Sequence, residues 1–134
     1  MYDYIEDKES VNQFLTDLKN ILTDKKFNIN TDLDILLRKS GEKFNDPYTT
    51  QNTLLELGYD KEDIKTELLS LRIGNYANTL IDKGDTNVPP FYVFYKEIQG
   101  RQVYVKIKIR NKNNLKIFCI SFHFAKYVYD KFPY

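Results

Sequence analysis

Hydrophobic and polar positions alternate most regularly in the last third of the chain. In QVYVKIKIR, Val103, Val105, Ile107 and Ile109 fall on one side and Tyr104, Lys106, Lys108 and Arg110 on the other. Period-two alternation predicts a strand with one buried and one polar face. FYVFYKEI precedes it across Gln99-Gly100, and LKIFCISFHF follows it across Lys112-Asn113-Asn114, so two consecutive hairpins are predicted. The first turn sets Tyr95 opposite Tyr104 on the polar face and turns Tyr92 and Phe94 to the core. A tight second turn at Asn113 sets Lys106 opposite Cys119, Tyr104 opposite Ser121 and Gln102 opposite His123, all on one face.

Upstream, the apolar period becomes helical. Val11, Phe14, Leu15, Leu18, Ile21 and Leu22 predict a helix over Ser10 to Leu22, with Ser10 as N-cap and Gln13 completing a capping box. A short extended piece is expected at Lys26–Asn30, and Thr31–Lys39 is apolar enough to be either helix or strand. SGEKFNDPY carries the residues of a turn-rich loop. Thr49 or Thr50 caps TQNTLLEL, which Gly58 ends; Asp60 caps KEDIKTELLSL, whose buried stripe is Ile64, Leu68, Leu69 and Leu71. Asn75–Leu80 reads as a further helical turn, and a loop with Gly84 and Pro89-Pro90 leads into the first strand. The class is therefore α+β, with N-terminal helices packed on a small C-terminal antiparallel sheet whose other face is available for binding.

A chain of 134 residues makes about one domain, and its scarce glycine and proline argue for order throughout. The single cysteine excludes an internal disulfide framework and a multi-cysteine zinc site, and is compatible with a reducing compartment. No apolar run approaches the length of a membrane span, and Met1-Tyr2-Asp3 lacks the basic-then-apolar start of a signal peptide, so a cytoplasmic protein is expected. The net charge of +1 conceals a division: residues 1–88 hold 11 Lys/Arg against 17 Asp/Glu, residues 89–127 hold 8 against one. That split fits a polyanion partner on the sheet. It equally fits acidic helices beside strands whose lysines blunt their edges.

Against this background His123 is the sharpest single residue, since imidazole exchanges a proton near neutral pH. Lone histidines are more often structural, but its expected company of Tyr104, Lys106 and Lys108 suits RNA cleavage without metal. That reaction needs a base for the 2′-hydroxyl, an acid for the leaving oxygen and cations for the phosphate. Tyr95 is a candidate to stack on a base, with Lys96 and Arg110 as further RNA contacts, although aromatics also favour strands for packing alone. No phosphate-binding glycine motif is present, so nucleotide-dependent catalysis has no signature. Cys119, in mid-strand, reads as a small packing residue, and Asp60, Glu62 and Asp63 as first-turn charges. Neither metal nor cofactor is expected.

The ordered motifs NTLLELGYDKEDIKTELLSLRIGNYANTL, FYVFYKE, QVYVKIKI and FCISFHF resemble the MqsR-type toxins of bacterial toxin–antitoxin operons, over roughly residues 49–126. The resemblance implies a RelE-like ribonuclease fold in a single domain over residues 1–134. Residues 1–24 are then a helical extension and residues 25–134 the toxin-like core. It also implies an mRNA endoribonuclease that acts without ribosomes or metal, silenced by a cognate antitoxin. Tyr104 matches the family's active-site tyrosine. The family's lysine after VSF falls at His123, the lysine of its helical DFYKS motif at Asn78, and the glutamine of its WQDVY strand near Tyr92. Of these only the tyrosine is kept, and the last match disagrees with the hairpin register, which turns Tyr92 inward. A non-catalytic module that binds RNA or protein through the basic face is the alternative.

Overall fold

A computed structural model describes residues 2–81, 88–110 and 115–134. In chain order the elements are β1 (Tyr2–Tyr4), α1 (Lys8–Leu22), α2 (Ile29–Asp32), β2 (Leu33–Ile35), α3 (Thr50–Leu57), α4 (Lys61–Leu69), a 3-10 turn (Ile73–Asn75), β3 (Tyr76–Ile81), β4 (Phe91–Ile98), β5 (Arg101–Arg110) and β6 (Lys116–Phe124). The strands form one six-stranded sheet in the order β1-β3-β4-β5-β6-β2, antiparallel except where β2 runs parallel to β6. Helices followed by an antiparallel meander match the α+β expectation. The sheet, however, is larger than expected and mixed rather than purely antiparallel. Its two edge strands, β1 and β2, are three residues long, too short for a period-two signal to register.

Each helix starts where a side chain satisfies its first amides. Thr49 caps α3 and Asp60 caps α4 in a capping box with Asp63, while Gly58 closes α3 at φ 70°, a conformation that favours glycine. α1 begins earlier than expected, at Lys8. Its cap is Asp7, whose carboxylate accepts from the Ser10 amide at 2.7 Å, and Gln13 bonds Asp17 instead of closing a box. The stretch expected to be extended at Lys26–Asn30 runs into α2, and of the undecided segment Thr31–Lys39 the first five residues divide between α2 and β2 while the rest belongs to neither. Of the expected helical turn Asn75–Leu80, only Asn75 is helical, as the last residue of the 3-10 turn; Tyr76–Leu80 lie in β3, whose register shifts between Tyr76 and Asn78 and so scrambles the alternation that would have marked it.

One face of the sheet carries the core. Val11, Phe14, Leu18 and Leu22 of α1 and Ile64 and Leu68 of α4 pack against Phe94, Val103, Val105, Ile107, Ile117 and Phe122. Phe14 stacks on Tyr92 at 3.9 Å between ring centroids. Each large side chain buried this way contributes about 1.5–3 kcal/mol. Among the described residues no helix is long and apolar enough to cross a membrane.

The β4–β5 turn has both central residues at positive φ, Gln99 at 52° and Gly100 at 80°, as a two-residue hairpin requires. Tyr95 therefore pairs with Tyr104 as expected. The β5–β6 register differs from expectation. Lys106 pairs with Ser121 and Tyr104 with His123, and pairing starts at Arg110 with Lys116, farther from Asn113 than a tight turn would set it. The expected turn residues themselves lie outside the described residues. Between Lys106 and Ile107 the register shifts, so that Ile107 meets Cys119 and Ile120 is the extra residue of a bulge. The bulge turns Cys119 into the core, whereas strict alternation had grouped it with Ser121 and His123.

Candidate functional site

On the face away from α1 and α4, a cleft of ≈ 500 Å³ is lined by Lys39, Tyr95, Tyr104, Lys106, Ser121, His123 and residues 125–129 of the C-terminal tail. Three structural devices assemble it. The first is the central hairpin pair, which brings the His123 and Tyr104 rings to 5.2 Å at an interplanar angle of 23° and Tyr95 edge-on to Tyr104 at 5.3 Å. The second is α3, which takes the place of a further strand along the end of β6. Thr50 and Thr53 are buried, and their hydroxyls accept from the Phe122 and Phe124 amides, each at 3.0 Å. The two bonds flank His123 and fix its height in the cleft. The third is the parallel pairing of β2 with β6. Beyond it the Leu36 amide donates to the Cys119 carbonyl, and the chain runs on beside β6 until the Lys39 ammonium donates to Ser121 Oγ at 2.6 Å.

The histidine is set up as a neutral base. Nδ1 lies 3.0 Å from the Phe124 carbonyl oxygen. A carbonyl can only accept, so Nδ1 carries the hydrogen and Nε2 the lone pair. Burial, with the Lys39 charge as a lesser cause, lowers the imidazole's pKa below 6.5. Burial also pushes the Tyr104 phenol up to about 12, so it is a hydroxyl donor at neutral pH. Burial and then Lys39 lower Lys106 from its ordinary value. Lys39, Lys106 and the tail's Lys126 thus line the cleft with a neutral imidazole, and no described carboxylate does. Among the described residues no group of three or more His, Cys, Asp or Glu is placed to hold a metal ion. Cys119 is fully buried and raised to about 12 by that burial, an inert packing thiol.

The tail closes one end of the cleft. The Ala125 amide bonds the Gln102 carbonyl at 2.9 Å, and the Gln102 side chain both donates to the Tyr129 carbonyl (2.8 Å) and accepts from its amide (2.7 Å). Tyr129 lies flat on Tyr95, centroids 4.5 Å apart and planes 2° from parallel.

Of the residues singled out from sequence, His123, Tyr104, Lys106 and Tyr95 are brought together. Lys108 and Arg110 follow on the same face of β5. Asn78 shares that face on β3 but does not line the cleft, and it donates to Asp3 at 3.3 Å. Tyr92 and Lys96 are turned the other way. Tyr92 packs on Phe14, and Lys96 is ion-paired with Glu67 and bonded to Ser70 on α4's side, because odd positions of β4 face the cleft and even ones the helices. Sequence reasoning missed Lys39 and Tyr129, and it set Gln102 on this face without its bonds to the tail. Lys39 has no local signal, since only the parallel pairing of a three-residue strand carries it to Ser121. The tail's aromatics were visible but had no period to assign them a partner.

Comparison of the chain with protein-family models, with curated proteins and with solved structures returned no significant match.

Proposed function

We propose that this protein is a metal-independent endoribonuclease of single-stranded mRNA, the RelE-like toxin of a toxin–antitoxin pair, restrained in the cytoplasm by a cognate antitoxin protein. The toxin half of this reading rests on the motif resemblance. The chemical half rests on one observation: a neutral histidine with its lone pair on Nε2, in a cleft shared with Lys39, Lys106 and a half-buried phenol and lined by no carboxylate among the described residues. His123 Nε2 takes the proton of the 2′-hydroxyl, and the 2′-oxygen bonds to phosphorus as the bond to the 5′-oxygen breaks. The Lys106 ammonium supplies the proton that the leaving 5′-oxygen needs, while Lys39 and the Tyr104 hydroxyl hold the non-bridging oxygens. The products are a 2′,3′-cyclic phosphate and a 5′-hydroxyl.

Incubation of long single-stranded RNA with purified protein in EDTA, beside His123→Ala, tests the proposal. Cleavage to cyclic-phosphate ends by the wild type and not by the variant supports it. Equal cleavage by a folded variant removes His123 from the chemistry. One observation favours a second reading, a non-catalytic binding module: Tyr129 already occupies the face of Tyr95 on which a base would stack. RNA retained but never shortened by folded, antitoxin-free protein selects that reading.

A further inference from the structure

The cleft has two ends, and they are built differently. Outward from Tyr104 along β5, the next position on the same face is Gln102, whose side-chain amide is taken up by the Tyr129 backbone. In the other direction the same face presents Lys106, Lys108 and Arg110, with Lys116 opposite Arg110. Alternate residues of a strand stand about 6.6–6.8 Å apart, a spacing that successive phosphates of a stretched single strand can follow. The cations are also held in place. The Lys108 ammonium lies 4.5 Å from the Phe91 ring centroid, and the Arg110 guanidinium lies 3.9 Å from that of Phe118. These rings therefore hold the cations along the strand through cation–π contacts. Asp34 shares this face and bonds Arg110 at 3.4 Å, one carboxylate against four cations among the described residues of these strands.

We infer that single-stranded RNA leaves the cleft on one side only, along β5, with successive phosphates carried by Lys106, Lys108 and Arg110 and no base read there. The footprint is therefore asymmetric about the cleaved bond: a sequence-indifferent phosphate track on one side, a tail-closed end on the other. This inference rests on the RNA reading of the cleft. Phosphate contacts position a strand without specifying its sequence, and each one made by a single strand adds about 0.7 to the steepness of log K against log salt.

The probe is a fluorescent 2′-O-methyl oligouridine, which cannot be cleaved. Its salt dependence is measured with the wild type, Lys108→Ala, Arg110→Ala and the charge-keeping Lys108→Arg. Each alanine variant should flatten the slope by about 0.7, and Lys108→Arg should restore it. Unchanged slopes in folded variants overturn the track. Around a cleavage site mapped in long RNA, trimming nucleotides from one side should lower kcat/KM and trimming the other should not. Equal losses on both sides, or none, overturn the asymmetry. Oligouridine bound with the expected slopes, while long RNA stays intact, removes the ribonuclease reading and leaves the track standing. Cleavage with unaltered slopes removes the track alone.

Discussion

The two faces of β5 share a backbone and little else. Val103, Val105 and Ile107 are at most 1% exposed and meet Phe124, Phe122 and Cys119 from β6 in a hydrocarbon core. The residues between them, Tyr104, Lys106 and Lys108, are only partly covered and meet His123, Ser121 and Phe118. The first face holds the fold; the second holds ionisable groups at a desolvation cost that the first must support. Alternation lets each face change its chemistry without altering the other, provided the strand does not slide.

Four substitutions or conditions test how separate the faces are. The largest expected effect is on the cleft side: His123→Ala should lower RNA cleavage about 10²–10⁴-fold while the far-UV spectrum stays that of the wild type. On the core side, Phe94→Ala should cost about 3–5 kcal/mol in denaturant unfolding, with residual activity tracking the folded fraction. Thr53→Val joins the two faces. It leaves the buried Phe124 amide without its partner, costing about 1–3 kcal/mol, and it frees His123 to shift, so kcat should fall further than the folded fraction does.

The last test is of pH. A neutral His123 is required, so kcat/KM should drop as pH falls through a pKa below 6.5. Lys39→Met removes a cation that opposes imidazolium, so the acid limb should move to higher pH; an unmoved limb would put Lys39 outside the site's field. Stability follows the same sign. The folded-state pKa is depressed, so the unfolded chain binds the proton more readily, and the contribution present above pH 6.5 is lost as pH falls toward the folded value.

Legibility followed the length of each regular pattern. β5 repeats its alternation often enough to reveal both faces, and with them the pairing of Tyr95 with Tyr104. Thr49, Gly58 and Asp60 announce α3 and α4 because caps and a left-handed terminus have local chemistry. β1 and β2 are too short to speak, and β3 is interrupted by its shifted register, so the outer strands were illegible. The same limit hid Lys39, whose place depends on β2 pairing in parallel with a strand some 80 residues away. His123 was found by its chemistry, but its partner was misassigned by two places: one because Arg110 pairs with Lys116 rather than Leu115, the other because of the bulge, which leaves no mark in composition.

That bulge at Ile120 works as a phase shift. Before it, the odd-numbered residues Ile117 and Cys119 point to the helices; after it, the even-numbered Phe122 and Phe124 do. Removing one residue there would make β6 a strand of uniform phase. Either His123 would then exchange places with the phenylalanines beside it, or the first half of the strand would expose its core. An insertion or deletion at this single point would invert the inside and outside of half a strand, even with every side chain retained.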